Sequence, residues 1–274
     1  MPADETVHVL DFAHVAEQAA RTGGRVLMDL LGRAKVREKG PKDLVTEADT
    51  TAQRVIREIV LNAFPGHDFL GEETPLESTL SCDSPGAGVQ PRWIVDPLDG
   101  TANYVHGLPG FAVSIGLELR GKVIAGVVYD PRLDECYMAA SGCGAFLNGR
   151  RLRTSACERL SQAMVAASFP PNIDRSAPDI PRFVEILVRC HSLRRLGSAA
   201  LNLCYVASGR LDAYWTTGCK AWDVAAGVLM VSEAGGVVTD IDGGELRLDA
   251  PVLAVASTVA LHAEFVGALA LERA

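Results

Sequence analysis

A short apolar strand, Trp93-Ile94-Val95, runs straight into Asp96-Pro97-Leu98-Asp99-Gly100-Thr101, and no other stretch of the chain limits it so strongly. A strand end is a rigid platform, and two carboxylates three residues apart on a turn can converge on one point. Close carboxylates repel unless a cation neutralises them, and hard dications such as Mg²⁺ take oxygen ligands. Gly100 and Thr101 add free backbone N–H groups at a helix start, where a phosphate is welcome. An Asp-Gly turn with a helix-capping aspartate explains the same six residues, and on these alone both readings stand open.

The bulk properties restrict what such a site can serve. At 274 residues the chain is long enough for one large domain or two modest ones. Its 48% hydrophobic and 22% charged residues are those of a globular protein. With aromatics at only 6%, Val, Leu, Ile and Ala must carry the packing. The net charge of −8 argues against a nucleic-acid or membrane-surface binder, which needs a basic footprint. It would also repel an anionic substrate unless cations mediate binding. The seven cysteines are scattered, with no C-x-x-C pair, so neither a zinc site nor a disulfide framework is indicated. Asp4 and Glu5 stand where a secretory signal needs positive charge, and no apolar stretch reaches membrane-span length. A cytoplasmic protein is the expectation.

Apolar periodicity predicts a helix from Leu10 to Leu31, then a basic loop or hairpin from Gly32 to Lys42. A second helix opens at Thr46-Glu47-Ala48-Asp49 and stops before Pro65, and a short strand 68–70 ends in Gly71-Glu72-Glu73. Residues 74–90, rich in Ser, Pro and Gly, read as a long surface loop. Strands at 111–119, 123–129 and 135–140, with turns at Arg120-Gly121 and Pro131, predict an antiparallel middle region. The second half alternates: strand 164–167, a loop from Pro170 to Pro181, helix 183–190, strand 192–196, helix 198–207, strand 211–215. A helix opened by Asp223, strands at 237–238 and 252–256 and a last helix near Thr258 complete a mixed α/β chain.

Three further acidic segments could join the first. Glu72 and Glu73 close a strand, although adjacent glutamates on a surface loop are common. Asp223, after Trp222, suits a helix N-cap, from which its carboxylate would point out of the helix start. Thr46 and Asp49 have capping-box spacing, the reading that spacing alone favours. Asp240 and Asp242 stand two apart but precede Gly243-Gly244, so a turn accounts for them. His106 reads as a hydrogen-bonded structural histidine, and Cys204 and Cys219 as packing residues.

Together DLVTEAD (43–49), GEE (71–73), WIVDPLDGTANYVHGLP (93–109), GSAALNLCYVASGRLDAYW (197–215) and WDVAAG (222–227) resemble, in content and order, the signature segments of the inositol monophosphatase family. The resemblance implies a layered αβαβα sandwich of the inositol monophosphatase/fructose-1,6-bisphosphatase type. Its residues 1–153 would carry most metal ligands, and 154–274 the substrate contacts and Asp223. It further implies two or three Mg²⁺ ions held by Glu72, Asp96, Asp99, Asp223 and the carbonyl of Leu98, with Asp96 bridging. Asp49 and Thr101 would position and deprotonate a metal-bound water, and Gly100 and Thr101 would bind phosphate through their N–H groups. Glu72, Leu98, Asp99 and Asp223 would also face the substrate, joined on its alcohol side by Gly197, Ser198 and Ala199. The implied reaction is in-line hydrolysis of a phosphate monoester, first inositol-1-phosphate. Fructose 1,6-bisphosphate, histidinol phosphate, 3′-phosphoadenosine nucleotides or a regulatory protein-binding role are the alternatives. A homodimer and lithium sensitivity are family-level expectations. The sequence departs from the family at Thr216, where many members carry a substrate-contacting glutamate, and the basic loop 35–42 lies where the family has a mobile segment near a metal.

Overall fold

A computed structural model of the chain describes residues 3–40, 43–74 and 90–270. The greater part of the expected loop 74–90, with Cys82, and the end of the basic loop, Pro41 and Lys42, lie outside the described residues.

Helices α1 (Ala3–Leu30) and α2 (Glu47–Ala63) are joined by a hairpin of β1 (Val36–Gly40) and β2 (Asp43–Thr46). A seven-stranded sheet follows in simple order: β3 (Asp68–Gly71), β4 (Arg92–Asp99), β5 (Ala112–Leu119), β6 (Lys122–Asp130), β7 (Glu135–Ala140), β8 (Gly144–Leu147) and β9 (Arg150–Arg151). Only the β3–β4 pair is parallel; every other pair in this sheet is antiparallel. Short helix α3 (Thr101–Val105) separates β4 from β5.

The second sheet has the order β11-β10-β12-β14-β13. Its strands are β10 (Met164–Ser168), β11 (Ser192–Arg194), β12 (Ala213–Thr216), β13 (Val237–Asp240) and β14 (Leu253–Ala256). Strands β11, β10 and β12 run parallel; β14 runs antiparallel to β12, and the edge strand β13 antiparallel to β14. Its helices are α4 (Asp179–Arg189), α5 (Ala199–Ala207), α6 (Ala221–Glu233) and α7 (Val259–Leu269).

The layers stack as α1/α2, seven-stranded sheet, α5/α6, five-stranded sheet, α4/α7, the expected αβαβα sandwich. One apolar core, with Leu27, Ile56, Trp93 and Ile115, fills the first interface. A second, with Leu203, Tyr214, Ala226 and Met230, surrounds α5 and α6 between the sheets, and a third, with Trp215 and Phe265, lies under α7. Several boundaries differ from the expectation, α1 beginning at Ala3 rather than at Leu10. Helix α4 begins at Asp179, with Pro181 inside its first turn, where a proline needs no N–H partner. Helix α6 begins at Ala221 rather than at Asp223. Among the described residues no helix is long and apolar enough to cross a membrane.

Helix α6 carries Asp223, and its height above the sheet is set by two facing glycines, Gly116 on β5 and Gly126 on β6. A Cβ on Gly126 would lie 2.9 Å from Ala226 Cα, so only glycine admits the helix this closely. Gly126→Val therefore overpacks this interface and costs about 1–3 kcal/mol of stability, read as a lower denaturation midpoint in urea. An unchanged midpoint would show that the helix can lift without penalty.

Candidate active site

Strand β4 continues through Asp96 to Asp99 instead of ending at the first aspartate. Asp96 faces Ser114 and Asp99 faces Ala112, so β4 has one residue more than β5 between these pairs. The resulting bulge accommodates Pro97, which has no N–H to give a ladder. Within it the Leu98 N–H donates to Asp96 Oδ1 at 2.9 Å. Gly100 then turns the chain at φ +92°, where a Cβ would meet the Gly110 carbonyl at 2.8 Å. Thr101 opens α3, its hydroxyl 3.0 Å from the Leu98 carbonyl and 3.4 Å from Asp49 Oδ1. One proton can serve only one of these acceptors at a time.

Three other elements bring carboxylates to this bulge. Parallel pairing sets Gly71 beside Val95, and the Glu72 N–H donates to the Val95 carbonyl at 3.1 Å, so Glu72 emerges beside Asp96. Asp49 is fully buried on the first turn of α2, accepting the Thr46 N–H at 2.8 Å and the Thr46 hydroxyl at 2.6 Å. The capping-box reading thus holds, and the other oxygen of Asp49 remains turned towards Thr101. Asp223 is not an N-cap. It is the third residue of α6 and accepts the Lys220 N–H at 2.8 Å. The Ser114 hydroxyl donates to the Trp222 carbonyl at 3.2 Å, fixing this helix start to the strand that faces Asp96.

Asp99 points at the start of α5, where the Ser198 hydroxyl and the N–H groups of Ala199 (3.3 Å) and Ala200 (2.7 Å) donate to it. Ser198 and Ala199 were expected on the substrate side; here their donors are engaged by Asp99, while Gly197 beside them is exposed. Two positioning residues escaped the sequence reading. Gln53, one helical turn after Asp49, accepts the Glu73 N–H at 2.8 Å and donates to Thr74; its signal was the i,i+4 spacing from Asp49. Asn103 donates to the carbonyls of Gly110 and Leu196, both at 2.8 Å, linking α3 to the segment before α5. His106, read from the sequence as a hydrogen-bonded structural histidine, lies exposed just beyond α3. Burial pushes the thiols of Cys204 and Cys219 well up, in keeping with packing roles.

The electrostatics are those of like charges gathered out of water. Burial, then the charges of Glu72, Asp99 and Asp223, push the Asp96 carboxyl well above the ordinary range. Burial also raises Asp223, reinforced by Asp99. It raises Asp99 against the opposing pull of Ser198 and the α5 N–H groups. Glu72 is raised by burial and held back by Lys39. From β1, the Lys39 ammonium lies 3.0 Å from Glu72 Oε1 and also bonds Glu73. With Glu72 paired to Lys39 and Asp99 to α5, no three His, Cys, Asp or Glu side chains among the described residues close on one point as a ready-made cage. The donor set still suits a hard cation: every side-chain donor is an oxygen, and the Lys39 ammonium beside Glu72 stands where positive charge is needed.

The αβαβα sandwich around this acidic centre is an inositol monophosphatase fold. The chain belongs to the inositol monophosphatase family, whose model matches residues 9–272, and members of this family are phosphoric monoester hydrolases. It is 44% identical over 241 residues to an inositol-1-monophosphatase of Mesorhizobium japonicum, covering 86% of this chain and 88% of that protein. A fructose-1,6-bisphosphatase/inositol-1-monophosphatase of Aquifex aeolicus is 40% identical over 235 residues, covering 83% and 85%. The crystal structure of extragenic suppressor protein suhB from Bartonella henselae superposes with a TM-score of 0.85 at 40% identity, covering 93% of this chain and 97% of that one.

Burial lifts the Asp49 pKa from 3.8 to about 6, against the donors of Thr46. The folded protein therefore binds this proton more tightly than the unfolded chain does. In the metal-free protein Asp49 lowers stability as pH rises through that interval. Asp49→Asn removes the loss, so the variant gains on the wild type between about pH 4 and about pH 6 in urea denaturation. A difference that does not change with pH would contradict the burial.

Proposed function

We propose that the chain hydrolyses a phosphate monoester at the β4 bulge, with Mg²⁺ held by Glu72, Asp96, Asp99, Asp223 and the Leu98 carbonyl. The observation that carries this reading is that Glu72 after β3, Asp96 and Asp99 on β4 and Asp223 on α6 gather in one buried region, where the charges of Glu72, Asp99 and Asp223 raise the pKa of Asp96. Bound there, two or three Mg²⁺ ions supply neutralisation of the phosphate and acidify a nearby water.

The protein's own groups do the rest. Asp49, held by Thr46 and with one oxygen towards Thr101, accepts a proton from the attacking water relayed through the Thr101 hydroxyl. The backbone N–H groups of Gly100 and Thr101, at the turn into α3, orient the phosphate for in-line attack. Gly197, Ser198 and Ala199 border the departing alcohol. The Asp99 bonds of Ser198 and Ala199 make them a support for the site's floor as well as its rim.

Inositol-1-phosphate is the first substrate of this reading, supported by similarity to the Mesorhizobium enzyme. The Aquifex relative, named for both activities, supports fructose 1,6-bisphosphate as the second. A homodimeric state and inhibition by lithium belong to the same reading.

The test is phosphate release from both esters with Mg²⁺ and after chelation, alongside Asp96→Asn. Release is expected to depend on the ion and to be lost in the variant, with its far-UV circular dichroism unchanged. Near-normal turnover by Asp96→Asn would remove Asp96 from the site.

A further inference from the structure

The buried stripe of α2 is apolar apart from Asp49 and Gln53, which lie one helical turn apart. A buried amide is costly unless its two ends are bonded, and those of Gln53 are. Its oxygen accepts the Glu73 N–H at 2.8 Å, and its nitrogen donates to the Thr74 hydroxyl at 3.2 Å. Gly71 leaves room for this contact: a Cβ there would lie 2.6 Å from Gln53 Cδ, so any side chain would displace the amide.

These bonds hold the turn that presents Glu72. From the strand side, the Glu72 N–H donates to the Val95 carbonyl and the Thr74 N–H to the Gly71 carbonyl, both at 3.1 Å. From the helix side the contact is Gln53, on the same buried face as Asp49. Burial raises the Asp49 carboxyl, and the charges of Glu72 and Glu73 add to the rise, so Asp49 and this turn are close neighbours. Glu72 also has a competing partner. The Lys39 ammonium lies 3.0 Å from its Oε1 and bonds Glu73 as well. Lys39 belongs to β1, so it draws both glutamates towards the hairpin, while Gln53 ties their main chain to α2. A neutral amide does this without adding a charge to Asp49, Glu72 and Glu73.

We infer that Gln53 is a positioning residue for the dication site: by holding the Glu73 N–H it keeps Glu72 where an ion needs it and in register with Asp49. The inference rests on Glu72 being a metal ligand. Without the Gln53 acceptor the turn is held from the strand side, and the Glu72 carboxylate is free to follow Lys39. A dication must then draw that carboxylate back before it can bind, which lowers the affinity for the ion. Residues that orient a metal ligand from behind act in this way, and their loss costs about 10–100-fold in metal affinity or activity.

The test is Mn²⁺ binding to the metal-free protein, followed without substrate through the electron paramagnetic resonance signal of the free ion. Gln53→Met fills the same space with no acceptor, and its Kd for Mn²⁺ is expected to rise about tenfold. Gln53→Glu keeps the acceptor, and the Thr74 hydroxyl can donate to it, so this variant is expected to bind at least as tightly as the wild type. Amide hydrogen exchange on the unaltered protein needs no substitution: the Glu73 N–H is expected to be protected before any metal is added. A Gln53→Met variant that binds Mn²⁺ as tightly as the wild type overturns the inference, even with a lower urea midpoint, because Gln53 then serves stability alone. A Gln53→Glu variant as weak as Gln53→Met, or a Glu73 N–H that exchanges freely, overturns it too. If the wild type binds no Mn²⁺, the dication site itself fails and takes this inference with it.

Discussion

Mutual repulsion of buried carboxylates is the constraint on which the rest of this structure depends. Asp96 is 2% exposed and has Glu72, Asp99 and Asp223 around it, each raising the cost of its charge. Left to itself such a cluster would protonate or spread apart. It persists because the carboxylates are carried by β4, the turn after β3 and α6, whose positions are fixed by other contacts. The internal relief visible here, Lys39 on Glu72, the start of α5 on Asp99 and the Leu98 N–H on Asp96, is partial.

The scaffold explains how four elements meet. The parallel β3–β4 pair brings Glu72 level with Asp96, and the bulge around Pro97 turns Asp99 towards α5. The glycine pair on β5 and β6 lets α6 descend until Asp223 reaches the same point. The middle helical layer contacts both sheets, so the acidic centre lies where the first half of the chain meets the second. Asp49 and Thr101 are held by a capping box and a helix start, local devices that need little from the rest of the fold.

Much of this was legible in the sequence because the informative segments are local. The capping box at Thr46–Asp49, the apolar strand before Asp96 and the Arg120-Gly121 turn are each encoded within a few residues, and the layered sandwich followed from the resemblance those motifs carry. The parts that were not legible depend on partners distant in sequence. That Asp223 is the third residue of its helix follows from where α6 meets β5 through Ser114, more than a hundred residues earlier. That Ser198 and Ala199 donate to Asp99 follows from docking of α5 against the bulge, and the work of Gln53 and Asn103 from contacts across loops. The exposure of His106 has the same origin, since it is decided by the packing around α3.

The central claim is that this carboxylate cluster is a dication site, and the most direct measurement is an anomalous difference map from crystals grown with Mn²⁺ in place of Mg²⁺. Peaks bounded by Glu72, Asp96, Asp99 and Asp223, with oxygen ligands only, are the predicted result. A map in which these four carboxylates hold no peak while Mn²⁺ binds elsewhere on the protein would contradict it.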